Sequence, residues 1–186
     1  MRIGVLGLQG DVAEHAAMLR GLADVVIVKK ASELETLDGL IMPGGESTTI
    51  GKLIQKYEID RAIKAKRLPV FGTCAGAILL AKKILATEQF SLRLMDIAVE
   101  RNAYGRQKES FEADLEIPAL GKPPFRGIFI RAPVIRKCGK DVEVLAEHEG
   151  SIILARQGKI LVATFHPELT RDARVHEYFI KLITGA

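Results

Sequence analysis

The sequence predicts an α/β fold in which helices cover both faces of an open, mixed and mostly parallel sheet. Short apolar runs alternate with helix-period stretches through the first half of the chain, a pattern typical of βαβ units. The second half is rich in strand-like segments with few helices between them, so we expect antiparallel or mixed strands to finish the sheet and form a small side sheet. A length of 186 residues suits a single domain over residues 1–186.

The first half divides into four strands and three helices. Apolar runs predict buried strands at Ile3–Leu8, Val25–Val28, Gly39–Met42 and Pro69–Gly72. Helical spacing predicts a helix from Asp11 to Leu22, a helix capped by Ser47 or Thr48, and a helix over Ala75–Ile84. This alternation places the carboxyl ends of the parallel strands at one edge of the sheet, where such folds carry their sites.

The second half is predominantly strand. Strands are predicted at Ile97–Glu100, Phe111–Ile117, Gly127–Ile130, Val142–Ala146, Ile152–Ala155 and Ile160–Thr164. The clearest turn is Gly121–Pro124, and a closing helix is expected from about Asp172 to Ile183.

Composition excludes several classes of protein. Hydrophobic residues make up 48% of the chain and charged residues 27%, as in a globular protein. The net charge is +4, and the basic residues are scattered rather than aligned in a stripe, so we expect no nucleic-acid partner. No apolar run approaches the ~20 residues that span a bilayer, and the N-terminus is too short for a signal peptide. We therefore expect a cytoplasmic protein without a membrane partner.

Cys74 lies in the strongest local motif, Gly72-Thr73-Cys74-Ala75-Gly76. An apolar strand that runs into Gly-x-Cys-x-Gly and then a helix is the cysteine counterpart of a nucleophile elbow. The helix N-terminus favours a thiolate at this position. The alternative interpretation is a buried structural cysteine. Cys138 lies in a polar turn and is interpreted as incidental, and we expect no disulfide between the two.

His166 and Glu168 form the second motif, His-Pro-Glu, directly after the strand that ends at Thr164. His166 can take the thiol proton and return it to a leaving amine. Glu168 can accept from the other ring nitrogen and fix the tautomer of the imidazole. A lone histidine is more often a satisfied core or surface residue, but its position at a strand end favours the catalytic interpretation.

Gly44 and Gly45 follow a third strand end, in Pro-Gly-Gly-Glu-Ser-Thr-Thr. Two glycines let backbone N–H groups turn toward a ligand without steric cost. The N–H groups of Gly45 and Ala75 could therefore form an oxyanion hole, where one donor contributes about 10²–10³ in rate. The alternative is an ordinary strand-to-helix turn with a Ser or Thr cap.

These three motifs resemble those of the class I, triad-type glutamine amidotransferases, and the resemblance implies their flavodoxin-like sheet. Four further stretches resemble the glutaminase subunits of pyridoxal 5′-phosphate synthase. They are Gly4–Gly10, Val99–Gln107, Ser110–Leu115 and Phe129–Pro133.

The resemblance implies roles residue by residue. Cys74, His166 and Glu168 match the triad of the family. Its glutamine-binding segments correspond to Gly45, Glu46, Ser47, Arg101, Ile130 and Arg131. Glu46 and the two arginines have the charges that the ammonium and carboxylate of an amino acid require.

The resemblance also implies partners. L-glutamine is the expected substrate, and ammonia passes to a synthase subunit within a large hetero-oligomer. Glutaminase activity is expected to be weak until docking completes the oxyanion hole, and Gln9, Gly10 and the Arg101–Gln107 loop are candidate interface residues. No cofactor is expected. No metal is expected either, because His15, His148 and His176 lack ligand spacing.

Two alternatives remain open from the sequence. One is another triad amidotransferase subunit, such as the one that serves imidazole glycerol phosphate synthesis. The other is a protein of the same elbow-bearing fold without a glutamine site, such as a stress-response peptidase or a chaperone-like binding module.

Overall fold

The structure is a computed structural model that describes residues 1–101 and 110–185. Its strands are β1 (Arg2–Leu6), β2 (Asp24–Val28), β3 (Gly39–Met42), β4 (Val70–Thr73), β5 (Ala81–Ile84), β6 (Met95–Glu100), β7 (Ser110–Leu115), β8 (Phe125–Ile130), β9 (Val134–Cys138), β10 (Glu143–His148), β11 (Ser151–Gln157) and β12 (Ile160–Ala163). Its helices are α1 (Val12–Met18), α2 (Ser47–Lys56), α3 (Ile59–Lys66), α4 (Ala75–Leu80) and α5 (Arg174–Thr184). Short 3₁₀ turns occur at Ala31–Thr36, Pro118–Leu120 and Pro167–Leu169.

The main sheet has a parallel part and a mainly antiparallel part. Its order is β2-β1-β3-β4-β12-β11-β9-β6-β5, with β10 paired to β11. The pairs from β2 across to β12 are all parallel, whereas β12, β11, β9 and β6 pair antiparallel. Strands β7 and β8 form a separate antiparallel pair. The predicted α/β class, mixed sheet and side sheet are therefore confirmed.

Two apolar layers sandwich the sheet. Along each buried strand successive side chains point to opposite faces, so Ile41 enters one layer and its neighbours Leu40 and Met42 enter the other. The layer that contains Ile41 also holds Leu19 after α1 and Phe179 of α5. The opposite layer is built with α2, α3 and α4, so helices cover both faces as expected.

Several element boundaries differ from the sequence prediction. The helix predicted over Ala75–Ile84 ends at Leu80, and the chain continues as β5 beside β6. An apolar run suits a buried helix and a buried strand equally, so periodicity could not divide it. The first predicted strand ends at Leu6 rather than Leu8, and α1 ends at Met18 rather than near Leu22.

Two elements were missed. Helix α3 buries Ile59 and Ile63 and exposes a strongly basic face. Because basic residues separate the few apolar ones, the apolar pattern of α3 is weak in the sequence. Strand β9 buries Val134 and Ile135 and exposes the basic pair that follows them. The prediction that Cys138 lies in a polar turn was wrong, because it is the last residue of β9 and pairs with Ile97.

Within residues 1–101 and 110–185, no helix is long and apolar enough to cross a bilayer.

Candidate active site

The candidate site lies where four neighbouring parallel strands end. Because β1, β3, β4 and β12 run in the same direction side by side, the residues that follow them meet at one edge of the sheet. Those residues are 7–11 after β1, 43–46 after β3, Cys74 after β4 and 164–168 after β12. The sequence motifs of the cysteine, the histidine and the two glycines are thus brought together as expected.

Cys74 occupies a sharp strand-to-helix turn. Its backbone has φ 46° and ψ −102°, a conformation that a non-glycine residue adopts only when its surroundings enforce it. The Cys74 N–H donates to the carbonyl of Ala163 at 2.9 Å, which ties the turn to β12. The Cys74 thiol donates to the carbonyl of Ile130 at 3.9 Å. The Cys74 side chain is therefore held at the edge of the sheet where the parallel strands end.

Glycine on each side makes this turn possible. A Cβ at Gly72 would lie 2.6 Å from the Gly76 carbonyl carbon, and a Cβ at Gly76 would lie 2.1 Å from the Met42 carbonyl oxygen. Both contacts are with backbone atoms, which cannot rotate away. The small residues predicted to flank the nucleophile are therefore required by the packing of α4 against β3 and β4.

His166 faces Cys74 with one ring nitrogen and two carboxylates with the other. Its Nδ1 lies 2.7 Å from Glu168 Oε1 and 3.3 Å from Asp11 Oδ2. Its Nε2 is buried and has no partner within 3.5 Å in the described part of the chain, but the ring interacts with the Cys74 thiol. The backbone N–H of His166 donates to Ile128 at 2.8 Å and fixes the segment against β8.

The electrostatics of the site favour a protonated imidazole. Burial opposes the charge on His166, but its interactions with Asp11, Cys74 and Glu168 outweigh this effect and raise the pKa of His166 far above its usual value. Hydrogen bonding to His166 lowers the pKa of Asp11 despite partial burial. Burial raises the pKa of Glu168. An imidazolium beside Cys74 stabilises negative charge on its sulfur.

Glu46 and Arg101 lie together at the other side of the site. Glu46 caps α2 by accepting from the backbone N–H groups of Thr48 at 3.1 Å and Thr49 at 2.7 Å. Desolvation opposes its ionisation, yet these hydrogen bonds lower the pKa of Glu46 to about 2. The prediction of a Ser47 or Thr48 cap was therefore wrong. Arg101 lies 3.4 Å from Glu46 Oε1.

A cavity of about 320 Å³ connects these groups. Its lining contains most of the predicted site residues, namely Gly45, Glu46, Ser47, Cys74, Arg101, Ile130, Arg131 and His166. Glu168 and Ala75 are buried behind this lining. The structure thus brings the predicted residues together, and their individual roles stay predictions.

The segment predicted to form the oxyanion hole is tied to the loop after β1. The Gly44 carbonyl accepts from Asp11 N–H at 3.3 Å, and Glu46 N–H donates to Gln9 Oε1 at 2.8 Å. A Cβ at Gly45 would lie 2.6 Å from Gln9 Oε1. Ala75 begins α4, so its N–H has no preceding helical carbonyl to bond. Gln9 and Gly10 are thus in contact with the segment, whereas residues 102–107 of the candidate interface loop lie outside the described residues.

Three residues of the site were not predicted to belong to it, although Gln9 was a candidate interface residue. Gln9 and Asp11 both line the cavity, and their position after β1 was the available signal, since the same rule located His166. Gln89 accepts from Arg101 at 2.6 Å and from Ser47 at 3.3 Å. It lies in an irregular stretch after β5, and no pattern in the sequence marked it.

One group of possible ligand atoms occurs within the site. Single atoms of Asp11, His166 and Glu168 lie within 4.8 Å of one another. The hydrogen bond between His166 Nδ1 and Glu168 already explains their proximity. The expectation that the protein uses no metal stays a prediction.

An open α/β sheet that carries a cysteine elbow, with histidine and glutamate after the adjacent parallel strand, defines the class of triad-type amidotransferases. The model of the SNO glutamine amidotransferase family matches residues 5–184. This protein belongs to that family.

Individual relatives and a solved structure agree with this assignment. A pyridoxal 5′-phosphate synthase subunit PdxT from Kosmotoga olearia is 57% identical over 190 residues, covering 100% of this chain and 99% of the relative. Its counterpart from Thermotoga neapolitana is 54% identical over 187 residues, covering 98% and 100%. A crystal structure of a glutamine amidotransferase has a TM-score of 0.93 at 51% identity and covers 98% of both chains. The resemblance is confirmed, and neither alternative is retained.

Proposed function

We propose that this protein hydrolyses L-glutamine to L-glutamate and ammonia and supplies the ammonia to a pyridoxal 5′-phosphate synthase subunit. One observation carries the proposal. Cys74 and His166 line the same cavity, and Glu168 holds the far ring nitrogen of His166 at 2.7 Å. Nucleophile, acid–base group and orienting carboxylate are thus in the order that covalent amide hydrolysis needs.

Glutamine would bind with its backbone groups near Glu46 and Arg101 and its side-chain amide near Cys74. The Glu46 carboxylate complements the substrate ammonium, while Arg101 and Arg131 complement its carboxylate. Gln89 and Thr48 hold the Arg101 guanidinium at 2.6 Å and 3.4 Å. This contact fixes one charge before the substrate arrives, which reduces the entropic cost of binding.

In the acylation step the Cys74 thiolate attacks the γ-carbonyl carbon of glutamine. The carbonyl oxygen becomes an oxyanion, which the N–H groups of Gly45 and Ala75 would stabilise. His166 donates its Nε2 proton to the amide nitrogen, the C–N bond breaks, and ammonia leaves. A γ-glutamyl thioester remains on Cys74.

Deacylation restores the enzyme. Neutral His166 takes a proton from water through Nε2, and the hydroxide attacks the thioester carbon. The C–S bond then breaks, which regenerates the thiolate beside an imidazolium. Glutamate is released with its γ-carboxyl group protonated, and this group loses its proton to solvent. Glu168 stabilises the charged ring in both steps without changing its own protonation state.

We further propose that the synthase docks beside the strand ends, where Gln9 and Gly10 contact the Gly44–Glu46 segment. Contact there would act directly on the oxyanion-hole segment and would account for the weak activity that is expected before docking. A single domain over residues 1–186 and a cytoplasmic location complete the proposal. The family match over 5–184 supports the first, and the absence of a membrane-length helix in the described residues is compatible with the second.

The test is glutamate release from glutamine with and without the synthase subunit. Wild-type protein should release glutamate, faster when the synthase is present. Cys74→Ala should abolish release while ammonia-dependent synthesis by the partner continues, because the alanine variant removes only the nucleophile. Continued glutamine hydrolysis by Cys74→Ala would disprove the proposed mechanism.

A further inference from the structure

Two buried histidines lie directly beneath the candidate site, and the steps above use neither. His15 of α1 and His176 of α5 are fully buried. His15 Nδ1 lies 2.9 Å from His176 Nε2, and His15 Nε2 lies 3.0 Å from Thr73 Oγ1. The same Nε2 lies 3.5 Å from Glu168 Oε2. One imidazole thus contacts both the residue before the nucleophile and the orienting carboxylate.

The surroundings keep both histidines neutral. The Phe71 ring meets His15 and His176 edge-on, with centroid distances of 6.3 Å and 5.7 Å. Burial lowers the pKa of His176 to about 4, and burial together with the neighbouring histidines lowers the pKa of His15 well below its usual value. A neutral imidazole has one N–H donor and one acceptor nitrogen. The tautomer of each ring therefore determines which of its two nitrogens donates.

The hydrogen-bond pattern decides the tautomers. His176 Nδ1 is buried without a partner in the described part of the chain. A buried N–H without an acceptor is rarer and more costly than an unfilled lone pair, so the His176 proton belongs on Nε2 and is donated to His15 Nδ1. His15 must then carry its own proton on Nε2. That N–H faces two oxygens, Thr73 Oγ1 and Glu168 Oε2.

The two oxygens belong to residues that contact different parts of the site. Thr73 contacts the oxyanion-hole segment, and Glu168 contacts His166. Thr73 Oγ1 also accepts from the Gly44 N–H at 3.1 Å, so it anchors the start of the oxyanion-hole segment. Glu168 Oε2 has no hydrogen-bond partner in the described residues, while Oε1 of the same carboxylate holds His166. The His15 N–H is therefore the group placed to fix the second carboxylate oxygen.

We propose that His15 is a positioning residue of the glutaminase, whose Nε2–H fixes Glu168 and Thr73, and that His176 holds His15 in the tautomer that provides this donor. The inference rests on the proposed roles of Cys74, His166 and Glu168. His15 touches no reacting atom. It orients His166 through Glu168 and the Gly44–Glu46 segment through Thr73.

Nitrogen NMR of the intact, uniformly labelled chain near neutral pH tests the tautomers directly. Both histidines should be neutral and protonated at Nε2, with the His15 signals assigned by their absence in His15→Gln. A proton on Nδ1 of His15, or a charged ring at either position, would overturn the inference. This outcome does not depend on whether the protein hydrolyses glutamine.

A pair of substitutions tests the positioning role. His15→Leu keeps the apolar volume and removes the donor, whereas the amide of His15→Gln can return an N–H near the Nε2 position. With the synthase present, His15→Leu should lower kcat by up to about 100-fold, the size expected when catalytic groups are misplaced by about an ångström, and should change KM little. His15→Gln should recover most of kcat. His148→Leu, on a half-buried histidine of β10, is the matched control and should behave as wild type.

Other outcomes are equally informative. Wild-type kcat in a folded His15→Leu, or equal losses in the leucine and glutamine variants, would refute the role of the donor. If His15→Leu fails to fold, Thr73→Val removes only the hydroxyl that joins His15 to Gly44, and unchanged kcat in that variant would refute the link. A wild-type protein without glutaminase activity beside the synthase would disprove the proposed function and leave the tautomer result standing.

Discussion

His166 has two carboxylates on a single ring nitrogen. The Glu168 contact at 2.7 Å is the shorter, and the Asp11 contact at 3.3 Å comes from the partly exposed lining of the cavity. Both favour the imidazolium, but only Glu168 is buried with the ring. Asp11 is therefore the residue through which the charge of His166 can be adjusted without disturbing the core.

Asp11→Asn should shift the pH dependence of glutamine hydrolysis. The Asp11 hydrogen bond raises the pKa of His166, so its loss lowers that pKa and the imidazolium deprotonates at a lower pH. In the proposed mechanism the imidazolium protonates the leaving ammonia, so the alkaline limb of kcat/KM should move to lower pH. Glu14→Gln, on the exposed face of the helix α1 that follows Asp11, is the control. An alkaline limb that stays in place or moves upward would contradict the assignment.

Among the secondary-structure elements, α4 packs so closely against the sheet that no side chain fits at Gly76. A Cβ there would lie 2.1 Å from the Met42 carbonyl oxygen. Gly76→Ala should destabilise the protein by about 1–3 kcal/mol, the usual cost of overpacking, and should reduce activity by displacing Cys74. Urea unfolding and glutamate release measure the two effects.

Gly51→Ala in α2 provides the matched comparison. Its Cβ would meet the Leu79 and Phe90 side chains at 3.2 Å, and these can give by a few tenths of an ångström. Alanine is also favoured over glycine inside a helix by about 1 kcal/mol. Gly51→Ala should therefore be at least as stable as the wild-type protein, whereas Gly76→Ala should be less stable. A Gly76→Ala protein of wild-type stability would contradict the packing argument.

The capped end of α2 predicts a pH effect on stability. The folded-state pKa of Glu46 is about 2, below its ordinary value of 4.5. Its contribution is therefore fully present above the ordinary value and is lost as the pH falls toward about 2. Glu46→Gln should flatten the decline of unfolding free energy in that window and raise KM for glutamine. Glu147→Gln, on an exposed strand residue, should do neither.

At the scale of the whole molecule, the site joins residues that are far apart in the sequence. Asp11 follows β1 and His166 follows β12, so a partly unfolded form that has lost either strand also loses the site. In a urea titration, glutaminase activity and far-ultraviolet circular dichroism should be lost together. Loss of activity well before the dichroism signal would show that the strand ends open independently of the sheet.

The sequence predicted the features that follow from general rules of α/β folds. Cys74 and His166 were located because functional residues follow parallel strands, and the structure brings them to one cavity. Gln89 could not be located, since its position depends on the path of an irregular segment. The division of Ala75–Ile84 into helix and strand was likewise inaccessible, because the pairing of Ala81 with Met95 is a tertiary contact that local periodicity does not encode.

Strand β12 is inserted between β4 and β11, although it is the last strand in the sequence. During synthesis on the ribosome, β4 therefore lacks its second neighbour until residues 160–163 have been made. The Cys74 turn acquires its hydrogen bond to Ala163 only then, and His166 follows within three residues. A nascent chain consequently gains the capacity to release ammonia only after Glu168 has been synthesised.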